Sequence, residues 1–140
     1  MDANEKSTKS IETVRPEGPE IKAYHIYRDG ARDLRFCGQI LGEGSYGTGG
    51  NSGYQCDWNR GVDVRIYRTV RGKYVMKVYR WSQWQGEGES HDAEVCDNVQ
   101  ALYVALCRDD GKMPPASKEA WEAAARHDEA IRVIECEEVE

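Results

Sequence analysis

No stretch of the 140-residue sequence approaches the roughly 20 apolar residues that span a bilayer. Residues 1–20, MDANEKSTKSIETVRPEGPE, lack the apolar core of a signal peptide. These two absences lead to the expectation of a soluble, cytoplasmic protein with no membrane partner. The cysteines Cys37, Cys56, Cys96, Cys107 and Cys136 are odd in number, irregularly spaced and free of any CxxC. That pattern argues against a disulfide framework and a structural zinc site, and predicts reduced, mostly buried thiols. A GxxxxGK[ST] phosphate loop is also missing: GEGSYGTGGNSG is rich in backbone N–H groups, but no lysine follows it and it leads toward a strand.

What the chain does have is charge, unevenly spread. Residues 60–84 hold seven cations, Arg60, Arg65, Arg68, Arg71, Lys73, Lys77 and Arg80, against Asp63 alone. Residues 85–140 hold fifteen acidic residues against five basic ones, and the whole chain carries a net charge of −6. Asymmetry of this kind bears on partners rather than on fold.

Residues 1–20 lack periodicity and read as a polar tail ahead of a single domain over 21–140. IKAYHIYR (21–28) and LRFCGQIL (34–41) read as a hairpin about Asp29-Gly30, with Leu34, Phe36 and Ile40 on one face. Seven glycines between 42 and 61 predict a long loop. Residues 62–70 alternate cleanly and return through Arg71-Gly72 into 73–81. Tyr74, Met76 and Val78 then face the core, and Arg65, Tyr67, Lys77, Tyr79 and Trp81 share the other face.

After a break at 82–89, a strand is expected at 92–96. A helix capped by Asp97 follows over 98–107 with Val99, Leu102, Tyr103 and Leu106 inward, then a helix capped by Ser117 over 118–129 with Trp121 as anchor. IRVIECEEV (131–139) reads as a closing strand. The expected fold is α+β: an antiparallel sheet of five to six strands packed against two C-terminal helices.

RFCGQIL followed by IYRTVRGKYVMKVYR resembles the hairpins of the small bacterial EXLDI proteins. AEVCDNVQAL, PASKEAWEAA and IRVIECEEV resemble the elements that end such proteins, so the resemblance covers about residues 34–139. It implies a β-rich α+β domain of bacterial origin and carries no catalytic residue across. The chain departs from that group by closing on IECEEVE and by lacking its N-terminal segment.

No constellation supports an enzyme. Cys56 could serve as a nucleophile only beside His25 or His91, and His91, Cys96, Cys107 and Cys136 lack ligand spacing, so no catalytic residue, cofactor or metal is assigned. The first expectation is therefore a non-enzymatic binding module acting by protein–protein contact, an acidic inhibitor or regulator of a basic, nucleic-acid-handling partner. Its acidic patches are Glu87, Glu89, Asp92, Glu94, Glu135, Glu137 and Glu138. The alternative is single-stranded nucleic-acid binding through Arg65, Tyr67, Lys77, Tyr79 and Trp81, where cations meet phosphate and rings stack on bases.

Overall fold

The computed structural model describes residues 20–48, 59–84 and 86–139. The expected tail at 1–19, Cys56 and residues 49–58 of the expected loop lie outside the described residues. Five strands form one antiparallel meander in chain order: β1 (Lys22–Ile26), β2 (Leu34–Thr48), β3 (Arg60–Thr69), β4 (Tyr74–Ser82) and β5 (Ser90–Cys96). Three helices follow, α1 (Val99–Leu106), α2 (Pro115–Ala125) and α3 (Glu129–Ile134).

The alternation of β3 and β4 sets the two faces. Val64, Ile66, Tyr74, Met76 and Val78 enter one core with Leu102 and Leu106 of α1, with Ala120 and Trp121 of α2, and with Ile131 of α3. Ile26, Tyr67 and Val75 form a second, smaller core on the opposite face, extended by Tyr24, Leu34, Phe36 and Ile40. The expected inward set Tyr74, Met76 and Val78 is thus in place, as is the expected face shared by Leu34, Phe36 and Ile40.

β2 serves both cores because its register slips. Ile40 pairs with Tyr67 and Gly42 with Ile66, which leaves Leu41 as the extra residue of a bulge. A one-residue slip turns each following side chain to the other face. Leu34, Phe36 and Ile40 therefore join the small core, while Leu41 is buried in the helix-side core and Gly42 and Gly44 lie beneath α2.

The expected long loop is corrected here: residues 42–48 continue β2 and residues 60–61 begin β3. The glycines at 42 and 44 mark a close helix approach. A Cβ at Gly42 would stand 2.4 Å from the Ala120 carbonyl oxygen, and one at Gly44 would stand 2.1 Å from that of Ala116. The expected closing strand is also wrong. Residues 129–134 are helix α3, so among the described residues the sheet has five strands and the helices number three.

Capping explains the helix boundaries. Asn98, not Asp97, caps α1, its Oδ1 accepting from Ala101 N at 2.8 Å. α2 starts at Pro115, three residues before the expected start, because proline suits the first turn of a helix; Ser117 is buried instead of capping. Asp128 caps α3, accepting from Ile131 N at 3.2 Å.

The sheet is curled, since the segment after β1 reaches the far edge strand. Asp29 N donates to the His91 carbonyl at 2.8 Å, His91 N donates back to Asp29 Oδ2 at 2.7 Å, and the Arg28 guanidinium reaches the Ala93 carbonyl at 3.3 Å. The helix-free face is the concave one.

Candidate functional site

The face that the hairpin sequence marks out is this concave surface. Arg65 pairs with Lys77 across the β3–β4 ladder, Tyr67 with Val75, Asp63 with Tyr79, and Gly61 with Trp81. All five expected residues therefore share one face. They are not equally available.

Tyr67 is fully buried, held among Tyr24 (ring centres 4.9 Å apart) and Phe36 (5.4 Å). Tyr79 stacks on His91 at 4.6 Å and donates its hydroxyl to Glu89 at 2.9 Å. Trp81 lies over Gly61, where a Cβ would meet its ring at 2.3 Å. That glycine is what lets the indole lie flat on the strand.

The cations behave differently from their grouping in sequence. Arg60 forks onto Glu87 at 2.6 and 2.9 Å. Arg65 meets Glu43 at 3.2 Å, Arg68 meets Asp128 at 3.7 Å, Lys73 meets Asp97 at 3.1 Å, and Arg80 meets Asp92 at 3.5 Å. Four of these five acids belong to the acidic second half of the chain. Among the described residues only Arg71 and Lys77 of the seven have no ion pair. Lys77 is half-buried; burial holds its ammonium below the usual lysine value, and repulsion from Arg65 adds to this.

Asp63 and Glu43 also lie on the concave face, so the mouth around Arg65 and Lys77 is mixed in charge. Ser45 donates to Asp63 at 2.7 Å and fixes that carboxylate. Sequence reasoning missed Glu43, Ser45 and His91 at this site. Glu43 and Ser45 sat in the supposed loop, and only the bulge at Leu41 puts them on the concave side.

Of the expected acidic patches, Glu87, Glu89 and Asp92 are engaged with Arg60, Tyr79 and Arg80. Bonds from Arg60 first, then from Ser82, pull the Glu87 carboxyl down to about 2. Glu94, Glu135, Glu137 and Glu138 have no ion pair among the described residues. Exposed apolar side chains of α1 (Tyr103 and Val104) and of α3 (Val133 and Ile134) stand on the helical side. Glu137 lies close enough to Tyr103 to raise the pKa of its phenol, behind the larger effect of Cys107.

Among the described residues no three His, Cys, Asp or Glu side chains come together as a metal-holding group. His91 and Cys96 face opposite sides of β5, and His25 is engaged with Asp33 at 2.8 Å. The expectation of mostly buried thiols is corrected: Cys96 is buried, Cys107 is half-buried, and Cys37 and Cys136 are exposed. Among the described residues no helix is long and apolar enough to cross a membrane. Compared with protein-family models, with curated proteins and with solved structures, the chain matches none.

Proposed function

We propose that this α+β domain is a non-enzymatic binding module that acts by protein–protein contact, as an acidic regulator or inhibitor of a basic, nucleic-acid-handling partner. One observation carries this reading: five of the seven hairpin cations are already neutralised by acids of the same chain, while Glu94, Glu135, Glu137 and Glu138 stay without cationic partners among the described residues. Exposed ion pairs are individually weak, at about 0–1 kcal/mol. Their effect here is on the field. They cancel the positive stripe that a phosphate backbone would follow and leave the surplus charge negative. The exposed Tyr103, Val104, Val133 and Ile134 supply apolar contact next to the acidic C-terminal residues, the combination of anchor and charged rim that protein interfaces use. The resemblance to the EXLDI proteins would make the source bacterial.

The test is a capture experiment with the full chain and its Glu135→Gln/Glu137→Gln/Glu138→Gln variant. A basic protein retained by the first, released by salt and lost with the second is the expected result. Equal retention by both chains would sink the assignment of those glutamates.

A second reading rests on Lys77, Tyr79 and Trp81 sharing the concave face, with Lys77 unpaired among the described residues. It expects an oligo-dT or oligo-U to bind at low salt, and Tyr79→Ala with Trp81→Ala to abolish that binding. No binding at low salt removes it.

A further inference from the structure

The concave face has another end, beside the β3–β4 turn. There a cleft of about 320 Å3 opens between the start of β2, the end of β3, the start of β4 and the end of β5. Leu34, Phe36, Val75 and Val95 make its floor, and Arg35, Arg71 and Lys73 are the charged members of its lining.

Three features together mark it as a candidate site. Its described lining includes no acidic side chain, although the chain as a whole is strongly acidic. Arg35 and Arg71 have no acidic partner among the described residues; Lys73 alone is engaged, with Asp97 at 3.1 Å. Apolar side chains around the cleft stay open to solvent, Val95 at 43% and Val70 at 60%, while the aromatic side chains of the same face close on one another.

The walls are held by backbone bonds. Val75 pairs with Val95 in the ladder, Val70 N donates to the Cys37 carbonyl at 2.9 Å, and Thr69 N donates to that of Lys73 at 2.8 Å. The cleft is therefore formed before any ligand arrives. Its volume lies at the small end of the roughly 300–1,000 Å3 typical of ligand pockets.

We propose that this cleft binds a small amphipathic carboxylate, free in solution, with its apolar body on Leu34, Phe36, Val75 and Val95 and its carboxylate on Arg35 and Arg71. An apolar floor gives a bare phosphate or sulfate nothing to bury. Two arginines without an acidic partner among the described residues give a neutral hydrocarbon no reason to prefer this site. Guanidinium forks match a carboxylate in geometry as well as in charge.

The experiment is a titration of the isotope-labelled full chain with decanoate and with decanol, followed by amide shifts. Decanoate is expected to move the amides of residues 34–37, 69–73, 75 and 95. The exposed Arg35→Gln/Arg71→Gln double variant is expected to weaken decanoate by about tenfold or more and to leave decanol unaffected. Four results overturn the proposal: no shifts at millimolar decanoate, shifts confined to other surfaces, equal binding of decanol and decanoate, or binding to phosphatidylglycerol vesicles without binding to monomeric decanoate.

Discussion

At the scale of single residues, Asp128 is a buried polar junction between the sheet and α3. It is buried, accepts from Ile131 N to start α3, accepts the Tyr74 hydroxyl at 2.8 Å, and faces Arg68 at 3.7 Å. Burial first, and then the neighbouring Asp128, push the Tyr74 phenol far above its usual value, so it stays a donor at any ordinary pH. Removing one partner from such a set leaves the others unsatisfied in a dry place. Asp128→Ala should cost about 2–4 kcal/mol in denaturant unfolding, combining the lost cap with the orphaned hydroxyl. Tyr74→Phe should cost only about 1 kcal/mol. A variant pair with equal costs would show that the cap at Asp128 adds nothing beyond the bond to the Tyr74 hydroxyl. The cysteines divide in the same physical way. Burial, with Glu94 and Asp97 adding to it, raises the Cys96 thiol to about 11, so little thiolate exists near pH 8. Cys37 and Cys136 should react with a thiol reagent at pH 8 in the native protein, and Cys96 only when the chain unfolds. Rapid native labelling of Cys96, mapped by peptide mass, would contradict that environment.

At the scale of elements, the contact of α2 on β2 decides how the helices sit. Ala116, Ala120 and Ala124 recur every four residues and present a flat seam, and Gly42 and Gly44 remove the opposing side chains. Gly44→Ala would place a methyl 2.1 Å from one helix carbonyl and 2.7 Å from the Ala120 nitrogen, both backbone atoms that cannot rotate away. It should destabilise the fold by about 1–3 kcal/mol or more. Gly88→Ala, at a position with no neighbour within 4 Å, should be near neutral. Equal unfolding midpoints for the two variants would refute the close approach. The same contact shows why part of the sequence misled. Glycine density argues for a loop when only local cost is counted, and the partner that makes glycine useful lies more than 70 residues away in the chain. The hairpin, by contrast, was legible because Val62, Val64, Ile66 and Val70 recur at period two ahead of the Arg71-Gly72 turn. The last helix was not, since Ile131, Val133 and Ile134 carry strand-forming side chains yet only Ile131 is buried. Its true signal was Asp128, a buried cap three residues before Ile131. The five-residue face of the candidate site could be read from parity alone. What parity could not show was which acids would fold back onto its cations.

At the scale of the whole molecule, the acidic second half acts as an internal counter-charge to the basic hairpin, and the loop before β5 is its clearest point of attachment. Arg60 binds Glu87 through two nitrogens and lies 6.0 Å from the centre of the Trp84 ring. Because the folded Glu87 carboxyl titrates near 2 and an unhindered one near 4.5, this bracing is complete above about 4.5 and is lost as pH falls through about 2. Arg60→Ala should abolish it at every pH and shift the Trp84 emission at neutral pH as acid does in the parent. The curl is the other whole-molecule feature, and the cleft beside the β3–β4 turn lies on the surface it creates. A five-stranded meander has two edges, and here the Asp29 carboxylate and amide join the segment after β1 to His91 of β5. Tyr27 lies edge-on to His91 at 5.3 Å, and His91 in turn carries Tyr79, so the clasp and the concave face are one packed unit. Removing the Asp29 side chain leaves the His91 N–H without its acceptor and frees the edge of β5. Asp29→Ala should therefore speed amide exchange along Ser90–Cys96 and loosen the Tyr79 ring, while the helix-side core around Ile66 and Leu102 keeps its protection. Uniform loss of protection in both cores would mean that the curl is set by the helices and not by the clasp. Unchanged exchange in β5 would mean that strand pairing with β4 alone holds that edge.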